Sequence, residues 1–147
     1  MKKGLSCIVT CFNSERHIRN NIFKLIKILN INNKFEIIAI DDFSKDKTFS
    51  ILKKIKSKKI KRIKNEKNLG KAASIIKALK KTTYDKVIFI DSDLPYIKNL
   101  KEVIRGLKKY DLVFVDRRHA KSRKLKLNET FYQFLRENIG LFINLLI

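Results

Sequence analysis

The 147-residue chain has no tryptophan, one proline, two cysteines and four glycines. Acidic residues are also scarce, 14 against 35 lysines and arginines. Each shortage excludes something. So little glycine and proline argues against collagen-like or low-complexity character and leaves no linker, so one domain over 1–147 is expected. Cys7 and Cys11 have no second pair and no histidine cluster beside them, which argues against a disulfide scaffold or a zinc site. They read as reduced, buried thiols. No apolar run approaches about 18 residues and no signal peptide opens the chain, so neither a membrane span nor secretion is expected. The expected location is cytoplasmic, either free or peripheral on the cytoplasmic face of a membrane.

Hydrophobic residues make up 44% of the chain, enough for a real core. The formal net charge of +21 has two readings. A basic surface suits nucleic acid, anionic lipid or phosphorylated ligands. Alternatively, Lys, Ile, Asn and Phe are abundant everywhere for compositional reasons, and the lysines are spread along the chain. No nucleic-acid module or aromatic–basic signature accompanies the charge, so nucleic acid is not an expected partner.

Apolar residues fall into two alternating patterns. "LSCIVTCF", "FEIIAI", "KIKRIKN", "KVIFI" and "DLVFV" read as strands, the third suited to a sheet edge. The run Val87–Ile90 reads as buried on both faces. Helical spacing covers 15–29, with Ile18, Ile22, Leu25, Ile26 and Leu29. Asp46 caps a helix from about Thr48, with Ile51, Leu52 and Ile55 inward. Further helices are expected over 70–81 (Ala73, Ile76, Leu79), 99–109 and 128–147. This alternation predicts an α/β fold, a mostly parallel sheet with helices on both faces.

In such sheets ligands bind at the carboxyl ends of the strands, where strand order reverses. The polar residues collect there: "TCFNSE", "DDFSKD", "NEKNLGK", "DSDLPY" and "DRRHAKSRK". Asp91 and Asp93 follow a buried strand and offer only oxygen ligands. Hard cations, Mg²⁺ or Mn²⁺, prefer such a pair and are often held by one or two carboxylates plus substrate phosphates. The plain alternative is a helix-capping pair in a loop. Asp41 and Asp42 close another strand, where a carboxylate can accept hydrogen bonds from a ribose or base, or simply sit in a solvated turn. No dinucleotide or P-loop glycine pattern is present.

The segments "SCIVTCFNSERHI", "FEIIAIDDFSKDKT", "NEKNLGKAASIIKAL" and "VIFIDSDL" together, in order and spacing, resemble the N-terminal catalytic part of a family 2 glycosyltransferase of GT-A fold. The last third resembles the polyprenyl-phosphate (dolichyl-phosphate type) sugar transferases in "DLVFVDRR" and "RENIGLFIN". The resemblance implies a nucleotide-diphosphate sugar as donor, Mg²⁺ or Mn²⁺ as cofactor, and a polyprenyl phosphate or other glycan as acceptor. It implies that Thr10, Phe12, Ser14, Ile40, Asp42, Ile90, Asp91 and Ser92 line the nucleotide-sugar pocket. Asp93, with Asp91, would hold the metal. Arg117 would meet diphosphate or acceptor phosphate, and Arg136 the acceptor phosphate.

The sequence departs from that pattern in places. Thr10 stands where the polyprenyl-phosphate group has Pro, Ser14 where it has Glu, Pro95 where a polar residue would help hold the metal. Asp116 replaces a small residue and Gly140 a Ser. The chain stops in an apolar helix at Ile147, where the family continues, so a truncated C-terminus is expected. A phosphate acceptor is already an anion and needs no strong base, which fits a chain whose histidines, His17 on a helix surface and His119 in a basic loop, are not obvious bases. Two other readings remain: a non-catalytic relative that binds an anionic membrane surface or a partner, and a basic nucleic-acid-binding domain. The basic run 117–126 beside the apolar tail motivates the membrane surface.

Overall fold

The computed structural model describes residues 2–31, 34–110, 113 and 115, all within one compact unit spanning 1–115. Its elements are β1 (Lys2–Cys11), α1 (Ile18–Leu29), β2 (Phe35–Asp41), α2 (Thr48–Lys54), β3 (Ile60–Lys64), α3 (Lys71–Leu79), β4 (Tyr84–Asp91), a 3₁₀ turn (Ile97–Asn99) and α4 (Leu100–Gly106). The expected strand 111–115, apart from Val113 and Val115, and the expected helix 128–147 lie outside the described residues.

The four strands form one parallel sheet in the order β3-β2-β1-β4. The α/β expectation therefore holds, and β3 is an edge, as its lysine-rich sequence predicts. Strand order runs outward from β1 through β2 to β3, then jumps back to β4 on the other side of β1. The reversal lies between the carboxyl ends of β1 and β4.

Side-chain alternation divides the core. On one face Leu5, Cys7, Val9 and Cys11 of β1, with Phe35, Ile37 and Ala39 of β2, meet Ile18, Ile22, Leu25 and Leu29 of α1. Leu52 and Ile55 after it join the same cluster, as do Leu100 and the half-buried face of α4. The four α1 side chains are fully buried, each worth about 1.5–3 kcal/mol relative to exposure. The other face is smaller: Ile8, Ile38 and Ile40 lie beneath Ala78 of α3. β2 is buried along its whole length, as a central parallel strand should be.

Two expectations need correction. Phe89 of β4 is 62% exposed, so the run Val87–Ile90 is not buried on both faces; among the described strands β4 is an edge. On α3, Ile76 and Leu79 are exposed and the buried residues are Ser74 and Ala78. Small side chains let α3 approach the sheet closely, and that contact outweighs its larger apolar residues. Among the described residues no helix is long and apolar enough to cross a membrane.

Candidate functional site

The loops after β1 and β2 are knitted to each other before any ligand is considered. Asn13 N–H donates to Ser44 Oγ at 2.9 Å, and Lys45 N–H to Asn13 Oδ1 at 3.0 Å. Ser14 N–H donates to Thr48 Oγ1 at 2.7 Å and Glu15 N–H to Asp46 Oδ2 at 3.0 Å. Lys47 N–H donates to Glu15 Oε2 at 2.8 Å. Asp46 Oδ1 accepts from Thr48 N–H at 2.9 Å, a bond to the residue two ahead that closes a turn; the N-cap of α2 is Lys47, with no side-chain capping bond, so Asp46 is not the cap the sequence predicts. Burial alone would raise the Asp46 carboxyl, but its bonds from Thr48 and Glu15 hold it below the usual range.

Asp41 and Asp42 have different fates. Asp41 is fully buried; Ser44 Oγ donates to its Oδ1, and its Oδ2 has no partner among the described residues. Burial raises its carboxyl above the usual value, against the opposing pull of Ser44 and Lys64. Asp42 is 6% exposed and accepts from Asn65 Nδ2 and Leu69 N–H, both at 2.8 Å, and from Gly70 N–H at 2.9 Å. Burial would raise it too, but these donors outweigh burial and hold its carboxyl below the usual range. Asn65 also donates to Ser74 Oγ at 2.8 Å, so Asp42 anchors the loop 65–70 and the start of α3 together. Gly70, at φ 80°, makes the turn that launches α3.

At the reversal point β1 and β4 are joined by Thr10 Oγ1, which donates to Asp91 Oδ1 at 3.1 Å. Lys71, the first residue of α3, reaches the same carboxylate: its Nζ is 2.7 Å from Oδ1 and 2.9 Å from Oδ2. Ser92 turns the other way, toward α1. Its Oγ is 2.7 Å from Ser14 Oγ and 3.4 Å from His17 Nε2, and its carbonyl accepts from Asn21 Nδ2 at 2.8 Å. His17 is thus the N-cap residue of α1, facing the site. Asp93 is exposed, with no hydrogen-bond partner among the described residues. Leu94 then takes a left-handed conformation at φ 54°, as do Asn13 at 47° and Phe43 at 64°. Non-glycine residues there cost about 1–3 kcal/mol each and tend to cluster at functional loops; these three sit in the loops after β4, β1 and β2.

The expected site residues divide accordingly. Thr10, Asp91, Ser92 and Ser14 converge at the β1–β4 reversal, with Asp93 at its mouth. Phe12 is 51% exposed on the same rim. Ile40 is fully buried beneath α3 and presents no side-chain surface; Ile90 is half-buried in the α1-side core. Arg117 and Arg136 lie outside the described residues. Sequence reasoning missed Lys71, Asn21 and Asn65. Asn21 had a signal, being a polar residue on the apolar face of α1.

Among the described residues no three His, Cys, Asp or Glu side chains form a closed metal cage. That does not disagree with a Mg²⁺- or Mn²⁺-type site, which takes one or two carboxylates and draws its other ligands from phosphate and water. The exposed Asp93 and part-exposed Asp91 are oxygen donors of the right kind and number.

The model of the family described as glycosyl transferase family 2 matches residues 6–145. The poly(ribitol-phosphate) beta-N-acetylglucosaminyltransferase TarS of Staphylococcus aureus is 31% identical over 126 residues, 83% of this chain and 20% of TarS. The dolichol-phosphate mannosyltransferase of Pyrococcus furiosus is 25% identical over 133 residues, 89% of this chain and 37% of that enzyme. The crystal structure of TarS 1–349 with UDP superimposes with a TM-score of 0.57 at 31% identity, over 72% of this chain and 32% of that one. A mannosyltransferase from Pyrobaculum calidifontis, solved with GDP-Man and Mn²⁺, gives a TM-score of 0.63 at 20% identity, over 73% and 33%, a likeness of fold. The chain thus spans well under half the length of these relatives.

Proposed function

The chain belongs to glycosyl transferase family 2, and from that premise we propose that it moves a sugar from a nucleotide-diphosphate sugar to a phosphate-bearing acceptor, in a metal-dependent reaction. The observation that carries this reading is the Asp91–Ser92–Asp93 turn at the point where strand order reverses, beside Thr10. TarS solved with UDP supports the nucleotide half. For the acceptor we propose a polyprenyl phosphate; the names of both relatives, a poly(ribitol-phosphate) and a dolichol-phosphate transferase, support a phosphate-containing acceptor.

Asp93 and Asp91 would hold Mg²⁺ or Mn²⁺, which when bound offsets the charge growing on the departing diphosphate. The rest is done by the chain. Ser14, His17 and Asn21 hold Ser92 by its hydroxyl and carbonyl, fixing the turn that carries both carboxylates. Thr10 orients Asp91. Phe12 offers an exposed ring to the base, and the rim around Asp42 to the nucleoside. An acceptor phosphate oxygen forms the new bond to the anomeric carbon as the bond to the diphosphate oxygen breaks, so no side chain need remove a proton. Arg117 and Arg136 would receive the acceptor phosphate, at the cytoplasmic face of an anionic membrane.

Calorimetric titration with UDP and GDP, with and without Mn²⁺, tests the reading. The wild type should bind one of them in a Mn²⁺-dependent way, and Asp93→Asn, at an exposed site, should lose that dependence while staying folded. Equal, metal-independent affinity in both proteins would sink the metal role; no binding of either nucleotide would sink the transferase reading. Transfer to polyprenyl phosphate in anionic vesicles checks the acceptor, with transfer only to a water-soluble phosphate polymer as the result against it.

A further inference from the structure

Lys71 has no part in the reading above, yet among the described residues it is the cation paired with an expected metal ligand, Asp91. We infer that Lys71 is the internal counter-cation of this site: it holds Asp91 in the free protein and passes to the diphosphate of the sugar nucleotide when that ligand binds. The inference rests on the proposed function.

Three observations carry it. First, the ammonium lies within 2.9 Å of both Asp91 oxygens, so Lys71 and a divalent cation compete for the same atoms. Sharing one carboxylate at these distances would set the two cations against each other, which favours one occupant at a time. Second, the pair is solvent-accessible, 56% on the Lys71 side chain and 30% on that of Asp91. An ion pair so placed contributes little, about 0–1 kcal/mol, so exchanging it for another partner is cheap. Third, the backbone beneath Lys71 is held firmly while its side chain is exposed to solvent. Asp42 binds the N–H groups of Leu69 and Gly70, and Asn65 binds Ser74 one turn further on. A lysine is a compact point charge on a flexible stem, suited to following a phosphate. Asp42 then acts on the diphosphate indirectly, as a positioning residue for Lys71.

A bridge that only ties α3 to β4 would look the same at rest, so the test must separate the two. In Lys71→Gln, Mn²⁺ alone should bind the nucleotide-free protein more tightly, by about threefold or more, read from the free-Mn²⁺ electron paramagnetic resonance signal. The same variant should bind UDP or GDP with Mn²⁺ about tenfold to a hundredfold more weakly, the size expected for one hydrogen bond to a charged group. Lys71→Arg should recover part of the nucleotide affinity. Opposite signs for metal and nucleotide are what a mere bridge does not produce. If the wild type binds UDP or GDP and Lys71→Gln, folded by circular dichroism, binds it within twofold or gains no Mn²⁺ affinity, this inference falls and the transferase reading stands. If the wild type binds neither nucleotide, both fall.

Discussion

Replacing Asp42 by alanine should destabilise the protein by about 2–4 kcal/mol, and the structure says why the figure is not larger. The carboxylate accepts three hydrogen bonds, from Asn65, Leu69 and Gly70. At about 1.5–3 kcal/mol for each bond to a charged group, the simple sum would be roughly 5–9 kcal/mol. Leu69 and Gly70 are exposed, so their N–H groups recover water when the carboxylate is removed. Asn65 is 1% exposed and cannot, although it keeps Ser74 and Lys77. One stranded buried amide costs about 1–3 kcal/mol, and the loss of order in 66–70 adds to it. The assay is urea unfolding followed by far-ultraviolet circular dichroism, since the chain has no tryptophan. The pH dependence gives a second handle. Asp42 has a folded pKa below its unfolded one, so its stabilisation is fully present above the unfolded value of about 3.9 and lost as pH falls through the folded value. The gap between wild type and variant should therefore be wide at pH 7 and close in acid. A loss below about 1 kcal/mol at pH 7, or a gap that does not narrow in acid, would refute the anchoring role. A variant that loses nucleoside binding at unchanged stability would instead return Asp42 to direct ligand contact.

Glu36 should behave in the same sense at the opposite end of the sheet, where Ser6, Thr83 and Lys61 outweigh its burial and hold its carboxyl below the usual range. Its contribution is present above the unfolded pKa of about 4.3 and lost below, so Glu36→Gln should cost about 1–3 kcal/mol at pH 7 and flatten the acid limb of the stability curve; an unchanged acid limb would count against it. Burial pushes the Cys7 thiol up to about 12 and raises that of Cys11 further, with help from Asp41. Both should react with Ellman's reagent at pH 8 only as fast as the protein opens, and rapid labelling of either in the native state would contradict their placement in the core.

The sequence made β2 and α1 legible because each carries a pattern with one solution: an unbroken apolar run for a strand covered on both sides, and a 3.6-residue stripe for a helix covered on one. The same signals misled at β4 and α3. Val87–Ile90 resembles β2 in composition, but periodicity does not say what covers a face, and Phe89 stands open. In α3 the small residues Ser74 and Ala78 decide which side meets the sheet, because they permit the closest approach. At the site, the placement of Asp91 and Asp93 was legible, since topology alone carries strand ends to one rim. The partners of Asp42 were not: they lie 23, 27 and 28 residues away along the chain. Lys71 was hidden among many lysines until α3 brought it to Asp91.

The knitting of the first two loops changes what their motifs mean. In "FNSE" and "DDFSKD", Asn13, Glu15, Ser44 and Asp46 spend their polar groups on each other's backbone. Any chain that must bring these two loops together needs such residues, whether or not a nucleotide binds. A match in those segments is therefore evidence about how the rim is built. The β4 turn differs, because its carboxylates are not spent on backbone: Asp93 is exposed, and Asp91 is held by the Thr10 hydroxyl and a solvent-accessible lysine. Nothing in the folding of the described residues requires a second carboxylate at position 93. Asp93→Asn should leave urea stability within about 0.5 kcal/mol of wild type, as for a surface substitution away from any structural contact. Loss of metal-dependent nucleotide binding in that same variant would then be a functional effect separated from fold, which no substitution in the knitted loops can provide.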